Sequence, residues 1–152
     1  MKISFFDPFI KVHSYDLFSK VSFNEICLNS DIIVLACSLN KENKHLINKE
    51  SISNMVKRPF IINVSRGPLI NEDDLIQGLK EERIRGAGLD VFENEPLPKS
   101  SELVKIENCI LGSHNSSNTL EAVKRVNNIT TEMVLDFVKT NNYEIFNDRR
   151  IV

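Results

Sequence analysis

The chain has 152 residues, about one domain's worth, and 41% of them are apolar, enough for an ordinary globular core and too many for a disordered chain. Its 19 Lys+Arg and 21 Asp+Glu are interspersed and leave a formal net charge of -2, so the broad basic field that grips nucleic acid or an anionic membrane is absent. No apolar run approaches the roughly 18 residues of a membrane span, and the N-terminus lacks the basic-then-apolar pattern of a secretory leader, so the expected location is the cytoplasm.

The chain opens with MKISFFDPF, a short apolar strand from Ile3 to Phe6 that closes on Asp7 and is ended by Pro8. Ser22 and Glu25 then form a capping box in SFNEICLNS, which predicts a short helix. DIIVLAC, from Asp31 to Cys37, is a nearly unbroken β-branched run, the pattern of a strand covered on both faces. KHLINKESISNM follows with a helical pattern, Pro59 breaks it, and FIINV is the next strand. In NEDDLIQGLKEER, Asn71 is the expected N-cap, acids fill the first turn, and Leu75, Ile76 and Leu79 share one side. AGLDV and CILG are two further short strands. From Thr119 to about Thr140 a long amphipathic pattern carries Val123, Val126, Met133, Val134 and Phe137. Strand and helix in alternation predict an α/β fold with a parallel sheet and helices on its faces. The three cysteines, Cys27, Cys37 and Cys109, are an odd number without paired spacing. Cys37 and Cys109 lie within apolar runs and read as small buried hydrophobes, with no metal site or disulfide frame implied.

In such a sheet a ligand lies beyond the carboxyl ends of the strands. Each strand is followed at once by a group able to contact one: Asp7, Ser38, then Ser65, Arg66 and Gly67, then Asp90 in LDVFENEP, and His114 in LGSHNSS. Arg66 could grip a carboxylate with two parallel hydrogen bonds, or pair on the surface with Glu72 or Asp73. His114 is the only histidine after a predicted strand, and Glu95 is a candidate to orient it, since a carboxylate bonded to an imidazole fixes which nitrogen is free. His13 and His45 read as structural histidines. Asp90 could instead cap nearby backbone amides, and Glu93 and Glu95 could be solvated.

The stretch FIINVSRGPLINEDDLIQGLKEERIRGAGLDVFENEPLP, with NCILGSHNSSNTLEA behind it, closely resembles the D-isomer-specific 2-hydroxyacid dehydrogenases, the group containing phosphoglycerate dehydrogenases and hydroxypyruvate or glyoxylate reductases. The likeness covers nearly the whole chain. It implies NAD as cofactor, a small 2-hydroxy or 2-oxo acid as substrate, and catalytic roles for three residues: His114 as the acid/base, Glu95 as its carboxylate partner, and Arg66 as the binder of the substrate's carboxylate and carbonyl side. It places Asp7 on the adenosine ribose, where a 2′-phosphate would be repelled. It sets Val64, Ser65 and Asp90 beside the nicotinamide and its ribose, and Cys37, Ser38 and Asn43 along the cofactor. Ser38 stands where proline is frequent. Asn115, Ser116 and Ser117 are more polar than the small residues usual after the histidine, with Ser117 also expected against the cofactor.

The resemblance further implies a Rossmann-type doubly wound parallel sheet that is incomplete, lacking the first strand, the glycine loop and the first helix. Residues 1–140 would be a partial NAD-binding domain and 141–152 a tail returning to a missing substrate domain. Without the first strand, the strand ending at Asp7 would be parted from the one ending at Cys37. MKISFFDPF would then be an internal stretch of a longer enzyme, now standing at a chain start. Three readings follow from the same residues: the cofactor half of a dehydrogenase completed by an N-terminal polypeptide, a non-catalytic truncated remnant that binds nucleotide weakly or forms a homodimer, and a truncation product unable to fold.

Overall fold

The computed structural model describes residues 1–10, 14–15 and 18–141; His13 and the tail from residue 142 onward lie outside them. The elements follow in chain order as β1 (Ile3–Phe5), β2 (Ser14–Tyr15), β3 (Phe18–Lys20), α1 (Phe23–Asn29) and β4 (Ile32–Leu35). Then come α2 (Lys49–Ser53), β5 (Phe60–Asn63), α3 (Glu72–Lys80), β6 (Gly86–Leu89), β7 (Cys109–Leu111) and α4 (Leu120–Thr140). The chain forms two compact units, 1–114 and 115–152.

Four strands, β4-β5-β6-β7, form a parallel sheet in chain order, with Ile33 opposite Ile61, Ile61 opposite Ala87, and Ala87 opposite Cys109. A second sheet has the order β1-β3-β2, in which β1 runs parallel to β3 and β2 antiparallel to it. No ladder joins β1 to β4 among the described residues, so the sheet expected from the sequence is split in two at that point. This is a Rossmann-like parallel α/β arrangement in which β1 and β4 belong to separate sheets, as the sequence leads one to expect for the strands leading to Asp7 and Cys37. The short strands β2 and β3 lie where the sequence reading placed no element, because two or three residues are too few to show a period.

Local chemistry accounts for the helix starts. Ser22 and Glu25 satisfy each other's backbone amides at the start of α1, as the capping box predicts. At α3, Asn71 accepts from the Asp74 amide, and the first turn carries Glu72, Asp73 and Asp74. α2 is shorter than the sequence pattern suggests, because Asn48 caps it only at Lys49 and Ile47 is instead bridged, strand-like, to Ile70.

The core joins α1, α2 and α3 to one face of the four-stranded sheet, through Cys27, Ile33, Ile52, Ile61, Leu75 and Ala87. The opposite face is open. Ile32 and Val34 on β4 are 51% and 55% exposed, whereas Ile33 and Leu35 between them are buried. The β-branched run at Asp31 to Cys37 is therefore covered on one face, not two, because α1 to α3 all gather on the other. Cys37 is likewise exposed, correcting the expectation of a buried thiol: the strand ends at Leu35 and Cys37 lies beyond it. In the second unit α4 begins as expected, with Thr119 accepting from the Ala122 amide, and none of its described residues is buried.

Candidate active site

The turn after β5 is built on Asn63, whose side chain is fully buried. Its Oδ1 accepts from the Ser65 amide at 3.1 Å and its Nδ2 donates to the Arg66 carbonyl at 2.9 Å, so one amide group spans the Ser65-Arg66 turn. Sequence reasoning missed Asn63; the available signal was an asparagine on the inward phase of an otherwise apolar strand. Next in the chain, Gly67 packs against the loop after β6. A Cβ there would lie 1.8 Å from the Phe92 carbonyl oxygen. The glycine is needed for this approach between two loops, not for an unusual dihedral, since no glycine in the described residues has a positive φ.

That second loop carries the acid. The Phe92 amide donates to Glu95 Oε1 at 2.9 Å, and Glu95 Oε2 lies 2.7 Å from His114 Nδ1. His114 is held from the other side, its amide donating to the Asp90 carbonyl at 2.8 Å, with its own φ at 58°, in the left-handed region. Such a backbone is costly for a residue with a side chain, so the surrounding bonds must fix it. Gly112 lets the Asp90 side chain approach, since a Cβ at Gly112 would fall 2.3 Å from Asp90 Oδ1.

The Glu95 carboxyl is held below the ordinary carboxylate range, first by the His114 hydrogen bond, then by the Phe92 amide, with the Arg66 charge adding to both. An ionised Glu95 requires the proton on Nδ1 of His114, which leaves Nε2 to exchange a proton with a ligand. Arg66 is exposed, and its Nη1 donates to the Ser65 carbonyl at 2.7 Å. It makes no ion pair with Glu72 or Asp73 among the described residues. Glu72 faces Glu93 instead, accepting from the Glu93 amide, and burial raises its carboxyl above the ordinary value. Glu93 in turn meets His45, with Nε2 2.5 Å from Oε1.

Toward β1, Asp7 Oδ1 accepts from the Phe9 and Ile10 amides at 2.7 and 3.2 Å, while Oδ2 makes no hydrogen bond among the described residues. The Ser65 hydroxyl donates to the Cys37 carbonyl, and Asn43 Nδ2 donates to the Ser38 carbonyl at 2.8 Å, tying these three segments into one rim. Although Cys37 is exposed, partial desolvation by the surrounding loops raises its thiol, and the Asp7 charge adds to it; burial pushes Cys109 up to about 11. Neither is a ready thiolate nucleophile. Val64 is exposed. Ser117 is exposed in the second unit.

These residues suit two parts of a dinucleotide: Asp7 can accept from a ribose, and Ser65, Asp90 and the exposed Val64 backbone can border a nicotinamide. The five glycines of the chain, Gly67, Gly78, Gly86, Gly88 and Gly112, do not form the Gly-x-Gly-x-x-Gly turn that cradles a pyrophosphate. An open groove of about 480 Å³ beside α1 and α2 shares no residue with Arg66, Glu95 or His114.

Residues 1–116 match the family model for the D-isomer specific 2-hydroxyacid dehydrogenase, NAD binding domain. Over 110 residues the chain is 41% identical to a glyoxylate reductase of Thermofilum pendens, covering 72% of this chain and 32% of the relative. Over 137 residues it is 38% identical to a D-3-phosphoglycerate dehydrogenase of Methanocaldococcus jannaschii, covering 88% of this chain and 26% of the relative. Among solved structures it is similar to the apo form of Rhodotorula graminis D-mandelate dehydrogenase, with a TM-score of 0.78 and 28% identity over 90% of this chain and 41% of that one. The chain thus spans roughly a third of the curated relatives it matches, 32% and 26% of these two. By sequence and by fold, it belongs to the D-isomer specific 2-hydroxyacid dehydrogenases, within their NAD-binding domain.

Proposed function

We propose that this chain is the cofactor-binding part of an NAD-dependent oxidoreductase acting on the CH-OH group of a D-2-hydroxy acid, with Arg66, Glu95 and His114 as its catalytic residues. The observation that carries this reading is the 2.7 Å bond from Glu95 Oε2 to His114 Nδ1, with the Arg66 guanidinium close enough to depress the same carboxyl. When bound, the nicotinamide supplies a hydride acceptor or donor. Glu95 fixes the ring of His114 through Nδ1 and leaves Nε2 for the substrate. In the oxidation direction, His114 Nε2 takes the proton of the substrate hydroxyl as the C2 hydride departs; in reduction it returns that proton to the carbonyl oxygen. Arg66 pairs with the substrate carboxylate and draws the carbonyl oxygen toward the imidazole.

The names of the relatives support glyoxylate, hydroxypyruvate and 3-phosphoglycerate as candidate substrates, and glycerate is the 2-hydroxy acid that corresponds to hydroxypyruvate. Asp7, with one carboxylate oxygen open, favours NAD over NADP. Asp90, Val64 and Ser65 would border the nicotinamide half and Cys37, Ser38 and Asn43 the cofactor's length, with Ser117 a further cofactor-binding candidate by family resemblance. The glycine turn and the remaining substrate-binding residues would come from an N-terminal polypeptide that also supplies the strand between β1 and β4.

The test is complementation. The chain is mixed with a separately made N-terminal segment of a family relative, and NADH oxidation is followed with glyoxylate, hydroxypyruvate and phosphohydroxypyruvate. Turnover is expected with at least one, and His114→Ala should lower kcat by about a hundredfold or more. Only weak NAD binding by calorimetry, well above micromolar, with no turnover on any of these acids would favour the non-catalytic remnant instead.

A further inference from the structure

His45 lies outside the proposed catalytic group, yet it contacts two of the three loops that carry it, the turn after Arg66 and the loop before Glu95. Its amide donates to the Pro68 carbonyl at 2.8 Å, which pins it to the turn following Arg66. Its carbonyl accepts from Asn48 Nδ2 at 2.9 Å, and the next amide, Leu46, donates to the Asn43 carbonyl at 3.0 Å. Its Nε2 reaches Glu93 Oε1 at 2.5 Å, in the loop that presents Glu95 two residues later. Glu93 is fastened a second and third time, Oε2 accepting from the Glu72 amide at 3.1 Å and its own amide donating to Glu72 Oε1 at 2.5 Å.

This loop is therefore clamped at Glu93 between β5's following turn and the start of α3. Both side chains of the pair are partly withdrawn from water, 32% exposed for His45 and 25% for Glu93, so the contact escapes much of the screening that weakens surface pairs. His45 also sits at φ 54°, in the left-handed region, where glycine or asparagine would make the same turn at lower cost. The imidazole's side-chain contact at this position is with Glu93. Within ENEP the two glutamates thus have parallel tasks: Glu93 meets a left-handed histidine on one side, and Glu95 meets another, His114, on the other.

We propose that His45 is a positioning residue: through Pro68 on one side and Glu93 on the other, it sets the spacing between Arg66 and the Glu95-His114 pair. The proposal rests on those three residues carrying the chemistry, and its test separates the two ideas. Amide hydrogen exchange is measured on the full chain of the wild type, His45→Ala, His45→Gln and Glu93→Gln. The alanine variant should speed exchange of the Phe92 and Glu93 amides by about tenfold, with Ile61 and Ala87 in the sheet unchanged. Glu93→Gln should act in the same direction but less, and His45→Gln, which keeps a donor toward Glu93, should restore most of the protection. In the complemented enzyme, His45→Ala should lower kcat by about tenfold while the KM for NADH moves less than about twofold, with recovery in His45→Gln.

Unchanged exchange at Phe92 in His45→Ala would overturn the proposal, as would an equal rise at Ile61 and Ala87, or an active complemented enzyme whose kcat ignores the substitution. An inactive wild-type complex with the selective exchange change still present would count against the dehydrogenase reading and leave His45 as the anchor of the loop.

Discussion

At Glu95 three contacts act in one direction: the His114 ring, the Phe92 amide and the Arg66 charge all favour the ionised carboxyl. A carboxyl whose folded value is depressed stabilises the fold above its unfolded value and loses that contribution as pH falls through the folded one. The wild type should therefore outlast Glu95→Gln in urea at about pH 5.5, above the ordinary glutamate value of about 4.3, and the difference should shrink steadily as the medium is acidified below that value. Its size is limited, because 35% of the Glu95 side chain and 51% of the His114 side chain are open to water; screening leaves about 1 kcal/mol or less. A difference that grew on acidification would contradict the arrangement. Asp7, Arg66, Asp90 and His114 were legible from sequence as polar groups immediately after strands. Asn63 and His45 were not, because what each does depends on a partner loop that only folding brings near.

The turn after β5 and the loop after β6 behave as one element, joined where Gly67 meets Phe92. Gly67→Ala puts a Cβ 1.8 Å from a backbone oxygen that no rotamer can move. The cost should be at least about 1–3 kcal/mol, read as a lower urea midpoint, with any activity of the complemented enzyme reduced as Arg66 and Glu95 are driven apart. Gly88→Ala is the control, since its Cβ would first meet Ile62 Cγ1 at 4.0 Å. That change should stay within about 0.5 kcal/mol of wild type, because alanine also loses less backbone freedom than glycine on folding. Helix starts at Ser22 and Asn71 were readable in the sequence because a cap is a contact across three residues, and that at Thr119 because the amphipathic spacing begins there. α2 was overread: the pattern of its neighbours resembled a helix, yet the segment at Ile47 pairs with Ile70, far along the chain.

Over the whole first unit, the four-stranded sheet has one covered face and one open one. Ile61 is fully buried while Ile110, on the other face, is 78% exposed. Ile61→Ala should cost about 2–5 kcal/mol. Ile110→Ala should cost about 0.5 kcal/mol or less, and urea midpoints of the two variants test the contrast directly. Equal losses would mean that the second face is covered in solution. Ile32, Val34 and Phe60 share that open face by register, so it forms a contiguous apolar surface of the kind that marks contact with another chain segment. It lies on the sheet that β4 ends, with β1 in a separate sheet.

The sequence by itself determined the parallel α/β class, the order of its main strands and helices, and which polar residues follow each strand. Those features depend on β-branched runs, caps and helical spacing, all of them written within a few neighbouring positions. Tertiary structure decided the rest: which face of β4 is covered, the use of Gly67 as a contact point, the distance at which Glu95 meets His114, and the pairing of His45 with Glu93. Those partners are 19 and 48 residues apart, and no local pattern specifies a distance between loops set by the packing of separate strands and helices.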